Sequence, residues 1–298
     1  MNSTIPYLGE GFSLLAAVLW AFAVIMFRKS GETVHPLALN GFKNSLALIL
    51  VIPTILLFSG TLLRPAPTHA YILLLLSGAI GIGVGDTLFF TSLNLLGAGL
   101  TGIVVCMYSP FIIFLSVIIL EENLTILQVI GALLIISAVL IATHKKEKRV
   151  IEQKRLFFGI LLGILSSACM AIAIVMIKPL LEHSPILWVT EVRLFSGSIT
   201  LGLILLIYPA RRKIINSLIS TRNWGYTVTG SFVGAYLALL AWLAGMKYTQ
   251  ASISSALNQT STIFIFIFAA LLLKEPVNLR RILGIIFAFF GSFLVLFG

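Results

Sequence analysis

Long apolar runs, separated by short polar stretches, follow one another along the chain. A membrane-spanning helix needs about 20 mostly apolar residues, and ten runs approach that length. Runs such as 73–76 and 263–266 do not alternate polar with apolar residues as barrel strands do, so the spans are predicted to be helices. The predicted spans lie near residues 11–27, 37–59, 71–93, 99–120, 125–143, 157–177, 186–208, 225–246, 251–273 and 282–297.

The composition points in the same direction. Of 298 residues, 59% are hydrophobic and only 10% are charged, against roughly a quarter charged in soluble domains. The chain is therefore predicted to be an all-α integral membrane protein in contact with lipid. Its net charge of +10 comes from short clusters between the apolar runs, a pattern typical of membrane loops and not of a nucleic-acid-binding patch. Neither Cys106 nor Cys169 has a partner at metal-ligand spacing, so we expect no metal and no cofactor.

The two halves of the sequence resemble each other. A shift of 150 residues pairs Lys43 with Arg193, and a shift of 153 pairs Glu122 with Glu275 and Gly131 with Gly284. We interpret 1–143 and 156–298 as two five-helix repeats, joined by a basic connecting loop, 144–155. Because five is odd, the second repeat should enter the membrane upside down. Such inverted-topology repeats around a central cavity are common in secondary transporters.

The distribution of basic residues predicts the orientation. Most lysines and arginines fall on the side of the membrane that carries the loop 144–155. Since basic residues favour cytoplasmic loops, this places the loop in the cytoplasm and both termini outside. The expected location is the plasma membrane, such as a bacterial inner membrane, with multiple passes.

Four charged side chains fall within the predicted spans: Lys43, Asp86, Glu191 and Arg193. An unpaired charge at the centre of a span costs at least about 2.5–3.5 kcal/mol, so these residues need partners or a watery cavity. For Lys43 and Arg193, extension to the nearby headgroups is an equal alternative to lining a cavity. Asp86 follows a glycine-rich stretch, and it either pairs with Lys43 or serves as a protonatable coupling site.

Uncharged polar residues add to this set. Tyr108, followed by Pro110, interrupts the fourth span, and its repeat mate, the ninth span, carries Asn258 and Gln259 at the same depth. Irregular backbone inside a membrane is tolerated only where it is buried in protein or lines a cavity. Trp20 is either a cavity wall or ordinary packing. The complete set of predicted substrate-binding residues is Trp20, Asn40, Lys43, Asn44, Asp86, Tyr108, Glu191, Arg193, Asn258 and Gln259.

Several motifs resemble those of EamA-type members of the drug/metabolite transporter superfamily. They are 17–21 around Trp20, Lys43 with its mate Arg193, 108–111 followed by Glu121, Glu122, Gln128 and Gly131, and 273–276 with Gly284. The resemblance implies ten helices around a cavity lined by helices one to four and six to nine, and transport of small metabolites, often outward. Two features depart from the pattern. Ile263 replaces a proline, and no acidic residue lies between Gly11 and Phe27, where the four-helix drug pumps carry a glutamate.

These features together predict a secondary transporter that works by alternating access, not an enzyme. The expected substrate is an amino acid or another zwitterionic or anionic solute, and the expected direction is export. Lys43 and Arg193 would bind carboxylate or phosphate groups, while Asp86 or Glu191 would bind a proton or an amine. The alternatives are a flippase-like transporter of drugs or amphiphiles, a channel, and an intramembrane enzyme. Monomer and homodimer both remain open.

Overall fold

The computed structural model describes residues 7–58, 62, 64–121, 123, 125–143 and 153–297, and these residues form helices without strands. Glu122 and residues 144–152 of the predicted connecting loop lie outside this description. Two short helices, Lys178–Glu182 and Arg211–Ile219, flank the seventh long helix. The long helical segments are α1 Leu8–Ser30, α2 Pro36–Phe58, α3 Thr68–Leu96, α4 Ala98–Ile119, α5 Ile126–Thr143, α6 Gln153–Val175, α7 Ile186–Ile207, α8 Trp224–Tyr248, α9 Ala251–Leu272 and α10 Leu279–Phe297.

Eight of these segments, α1–α4 and α6–α9, are long and apolar enough to cross a membrane. Each has between 22 and 29 residues, which at 1.5 Å per residue exceeds the roughly 30 Å of a hydrocarbon core. The apolar part of α5 is shorter, and α5 packs along α10. Eight of the ten predicted spans are therefore confirmed by length and composition in the described residues.

The irregular turns of the long helices occur in pairs. A π-helical segment, Gly78–Gly85, lies within α3, and a second one, Ser231–Ala238, lies within α8, at positions related by the same shift of 153 residues that aligns the two halves. A 3₁₀ turn, Val105–Met107, breaks α4, and α9 is interrupted at Gln259 and Thr260. Such breaks within helices often mark functional positions. The two halves thus repeat the helices together with their distortions.

Close contacts between the halves also occur in pairs. A methyl group added at Gly81 in α3 would lie 2.8 Å from the Ala173 side chain in α6, and one added at Gly234 in α8 would lie 2.7 Å from the Ala23 side chain in α1. Glycine allows each pair of helix backbones to approach this closely. α3 therefore packs on α6 in the same manner as α8 packs on α1.

The closest approach of α3 to α7 gives a testable prediction. A methyl group at Gly78 would collide with the backbone carbonyl of Arg193, which cannot move without shifting α7. We expect Gly78→Ala to lower the stability to thermal unfolding in detergent by about 1–3 kcal/mol, as overpacking does. The matched control is Gly41→Ala, because nothing lies within 4 Å of that position. Equal melting temperatures for the two variants would contradict this packing.

Glu275 ties the second half of the chain to the first. Its Oε1 accepts a hydrogen bond of 2.6 Å from the Ala98 N–H, and its Oε2 accepts one of 3.0 Å from the Gly99 N–H. The carboxylate thereby satisfies two free donors at the positive N-terminal end of α4. Gly97 precedes this end with φ +83°, and a side chain there would meet the Glu275 carboxylate. We call Glu275 with residues 97–99 the carboxylate clamp.

Candidate functional site

A cavity of about 150 Å³ lies between the two halves. Its lining residues come from α1–α4 and α6–α9, and none of the described residues of α5 or α10 takes part. A buried water molecule needs about 10–15 Å³ of such space, so the cavity has room for on the order of ten water molecules. The cavity therefore fits a small solute. Its wall is mostly apolar, with a few polar groups that converge from several helices.

Lys43 and Asp86 form an ion pair at this cavity. The Lys43 ammonium donates to the Asp86 carboxylate, and the two residues are only 5% and 4% exposed. The Lys43 Nζ atom also lies 3.5 Å from Asn44 Oδ1 and 5.7 Å from the centre of the Phe90 ring. A charge this deeply buried requires a partner of opposite sign. Of the two roles predicted for Asp86, pairing with Lys43 is the one that the structure contains.

Asn40 does not line the cavity. It forms hydrogen bonds with the residues next to the ion pair. Its Nδ2 donates to the Ile82 carbonyl oxygen and to Thr87 Oγ1, and each of these hydrogen bonds is 2.9 Å long. Its Oδ1 accepts a hydrogen bond of 2.9 Å from Asn44 Nδ2. A π-helical turn departs from the regular helical hydrogen-bond pattern, and Asn40 donates to one of the carbonyl groups of this turn. Asn40 thus stabilises the turn that precedes Asp86.

Arg193 differs from Lys43 because no acidic side chain forms an ion pair with it in the part of the chain that the structure describes. It is 2% exposed, and its guanidinium carbon lies 5.5 Å from the centre of the Trp242 ring. Its Nε and Nη1 atoms are buried without a hydrogen-bond partner among the described residues. An arginine stays protonated and cannot relieve this deficit by losing its proton. Leaving charged donors unsatisfied is costly, and an anionic group at this position would supply the missing acceptors.

A further polar atom at the cavity, Asn258 Oδ1, lacks a hydrogen-bond partner in the described residues. Glu191 is half-buried on α7 and lies outside the cavity lining. The residues predicted from the sequence that line the cavity are Trp20, Lys43, Asn44, Asp86, Tyr108, Arg193, Asn258 and Gln259.

The structure adds lining residues that the sequence-based set did not contain, among them Ser166 and Ser167 on α6. The shift of 150 residues pairs Ser166 with Ala16, which lines the same cavity from α1, but neither position stands out in the sequence. Ser166 donates a hydrogen bond of 2.8 Å to the Gly85 carbonyl oxygen. Ser166 therefore also binds the backbone of the π-helical segment.

The break in α4 differs in detail from the prediction. The 3₁₀ turn covers Val105–Met107, and the helix resumes at Tyr108, so Pro110 lies in the first turn of the resumed helix. A proline is tolerated there because its missing N–H has no helical partner in any case. The break in α9 at Gln259 occurs without a proline.

The profile of the EamA-like transporter family matches residues 7–143 and, a second time, residues 157–297. The chain belongs to the EamA-like transporter family. Membership of this family indicates a membrane-embedded, multi-pass transporter of small solutes rather than an enzyme. The two family matches divide the chain into two halves, and the cavity lies between these halves.

Known proteins agree with this assignment. Two proteins of Archaeoglobus fulgidus, each named as an uncharacterized transporter, are similar along nearly their full length. One is 27% identical over 274 residues, covering 92% of both chains. The other is 24% identical over 287 residues, covering 94% of this family member and 96% of the relative. A crystal structure of another protein aligns with a TM-score of 0.73 at 16% identity, covering 96% of this chain and 95% of its own, which shows a shared fold.

Proposed function

We propose that the protein is a secondary transporter in which two inverted five-helix repeats rock about the cavity. Support comes from the paired irregular turns and the reciprocal glycine contacts between the halves. The ends of the helices agree with inversion. Gly31 after α1 and Gly159 near the start of α6 both lie beside the C-terminal end of α3, against Asn94 and Leu96. The first helices of the two repeats therefore run in opposite directions, as this architecture requires.

Topology mapping tests this arrangement. In a chain with Cys106 and Cys169 replaced by alanine, single cysteines at Tyr7 and Gly298 should react with an impermeant maleimide from one side of the membrane. A cysteine at Asn278 should react only from the other side, because α10 separates it from the C-terminus. Labelling of positions 7 and 298 from opposite sides would refute the inverted repeat.

Arg193 is the proposed anchor for the substrate. Its buried Nε and Nη1 donors, which lack hydrogen-bond partners among the described residues, are the single observation that carries the substrate class. This class is a small solute with a carboxylate or phosphate group, and amino acids belong to it. Tyr108, Asn44, Asn258 and Gln259 would orient it, and Trp20 would contact its apolar part. Lys43 would act together with Asp86, as a pair whose strength changes when substrate or a proton arrives.

Transport itself is tested in proteoliposomes. Purified protein should catalyse saturable uptake that is accelerated by unlabelled solute on the opposite side, since alternating access exchanges one solute for another. A channel would give flux that rises linearly with concentration, without this acceleration. The direction proposed from the family resemblance is export across a plasma membrane, with the basic side of the protein in the cytoplasm.

A further inference from the structure

The cavity carries an uneven set of charges. Among the described residues that line it, the charged side chains are Lys43, Asp86 and Arg193. Lys43 and Asp86 are in direct contact, so their pair has zero net charge whichever of the two holds the shared proton. Arg193 remains protonated. The described lining residues therefore give the cavity one net positive charge.

The sequence repeat explains why this charge is not balanced. Lys43 and Arg193 occupy matching positions in the two halves, but the shift of 153 residues places Leu239 opposite Asp86. Leu239 lines the cavity without charge. The second half thus retains the cation and lacks its acid. The nearest acid along α7, Glu191, lies two residues from Arg193 and does not line the cavity.

We propose that the solute bears one net negative charge, and that the uncompensated charge of Arg193 selects it over zwitterions. This inference rests on the proposed function and narrows its substrate class. A monoanion brings the cavity to zero net charge, whereas an amino acid in its zwitterionic form brings an ammonium group and leaves one positive unit in a poorly solvated space. Asp86 cannot compensate this ammonium group fully, because Lys43 already occupies its carboxylate.

Matched pairs of small carboxylates test the selectivity. Propionate and alanine, 4-methylpentanoate and leucine, and 3-phenylpropionate and phenylalanine differ only by the ammonium group. We expect the monoanion of at least one pair to raise the melting temperature of the purified protein, with an affinity at least about tenfold higher than that of its zwitterion, because like charges placed close together are strongly unfavourable. Tighter binding of the zwitterions, or no stabilisation by any of these carboxylates, would overturn the proposal.

Substitutions that change the net charge should change the preference. Lys43→Gln leaves Asp86 and Arg193 as one free negative and one free positive group, so the ratio of affinities should shift by about tenfold or more toward the zwitterion. The double variant Lys43→Gln/Asp86→Asn keeps the net charge of one positive unit and should keep the preference for the monoanion. Lys29→Gln is the matched control, because Lys29 pairs with Glu32 at the surface, away from the cavity.

The two levels of inference can fail separately. If the matched pairs bind as expected but proteoliposomes show no exchange, the proposed function fails and the charge selectivity of the cavity stands. If proteoliposomes exchange zwitterions or cations faster than monoanions, transport stands and the charge inference fails. If Lys43→Gln folds poorly, the double variant still tests the proposal, because it contains no unpaired buried charge at these positions.

Discussion

Arg193→Ala should reduce the affinity of the protein for the best-stabilising carboxylate by about 100-fold, and uptake into proteoliposomes at low substrate concentration should fall in parallel. The reason is that the guanidinium is buried with unsatisfied Nε and Nη1 donors, so that its removal deletes both the charge and the hydrogen bonds offered to an anion. Truncating one member of such a buried charge pair costs about 2–5 kcal/mol. Ligand-dependent melting temperatures measure the affinity, and radiolabelled solute measures the uptake.

Two further variants separate binding from folding in this experiment. Arg193→Lys keeps the charge but loses the planar arrangement of donors, and it should retain part of the affinity. Arg212→Ala removes an exposed arginine from the short helix after α7 and should leave the affinity unchanged. If Arg193→Ala binds carboxylates as tightly as the unaltered protein, the anion does not bind at Arg193.

The Lys43–Asp86 pair predicts a strongly non-additive effect on stability. Asp86→Asn leaves the Lys43 ammonium buried without an acidic partner, and the expected loss of stability is about 3–5 kcal/mol, as for other broken buried ion pairs. The double variant Lys43→Gln/Asp86→Asn should recover most of this loss, because it contains no unpaired charge and its amides can still form hydrogen bonds. Thermal unfolding of four proteins in one detergent, the unaltered protein, the two single variants and the double variant, provides the measurement.

The reference for this comparison is the sum of the losses of unfolding free energy in the two single variants. If the double variant is as unstable as the sum of Lys43→Gln and Asp86→Asn, the two side chains do not depend on each other. A coupling energy of less than about 0.5 kcal/mol would mean the same, since that is the usual deviation for independent sites.

The helices and the intramembrane charges could be predicted from the sequence because each depends on local composition. Span length and hydropathy follow from the residues of one segment, and eight predicted spans are confirmed in this way. The rotation of a helix about its axis depends on its neighbours and could not be predicted. Glu191 and Arg193 are two residues apart, and therefore about 200° apart around α7. Both are charged, and only the packing determines that Arg193 lines the cavity.

The π-helical turns also limited what could be predicted from the sequence. A wide turn changes which side chains share a face after it, so a regular helical period does not predict the direction in which Asp86 points. The glycines before Asp86 indicated an irregularity but not its type. Asn40 was predicted to bind substrate because it flanks Lys43 on a neighbouring face of the helix, whereas its amide binds the backbone at Ile82 and the hydroxyl of Thr87. Recognising such a role requires the distances between α2 and α3.

The carboxylate clamp has a consequence for any movement that separates α4 from the segment after α9. Such a movement would separate the Glu275 carboxylate from the N–H groups of Ala98 and Gly99 and leave it with Arg281, whose Nη1 donates to Oε2 over 3.5 Å. Residue 275 lies beyond the end of α9 at Leu272, and the two freed N–H groups would need water as their new acceptor. Opening on this side of the protein is therefore expected to hydrate the start of α4.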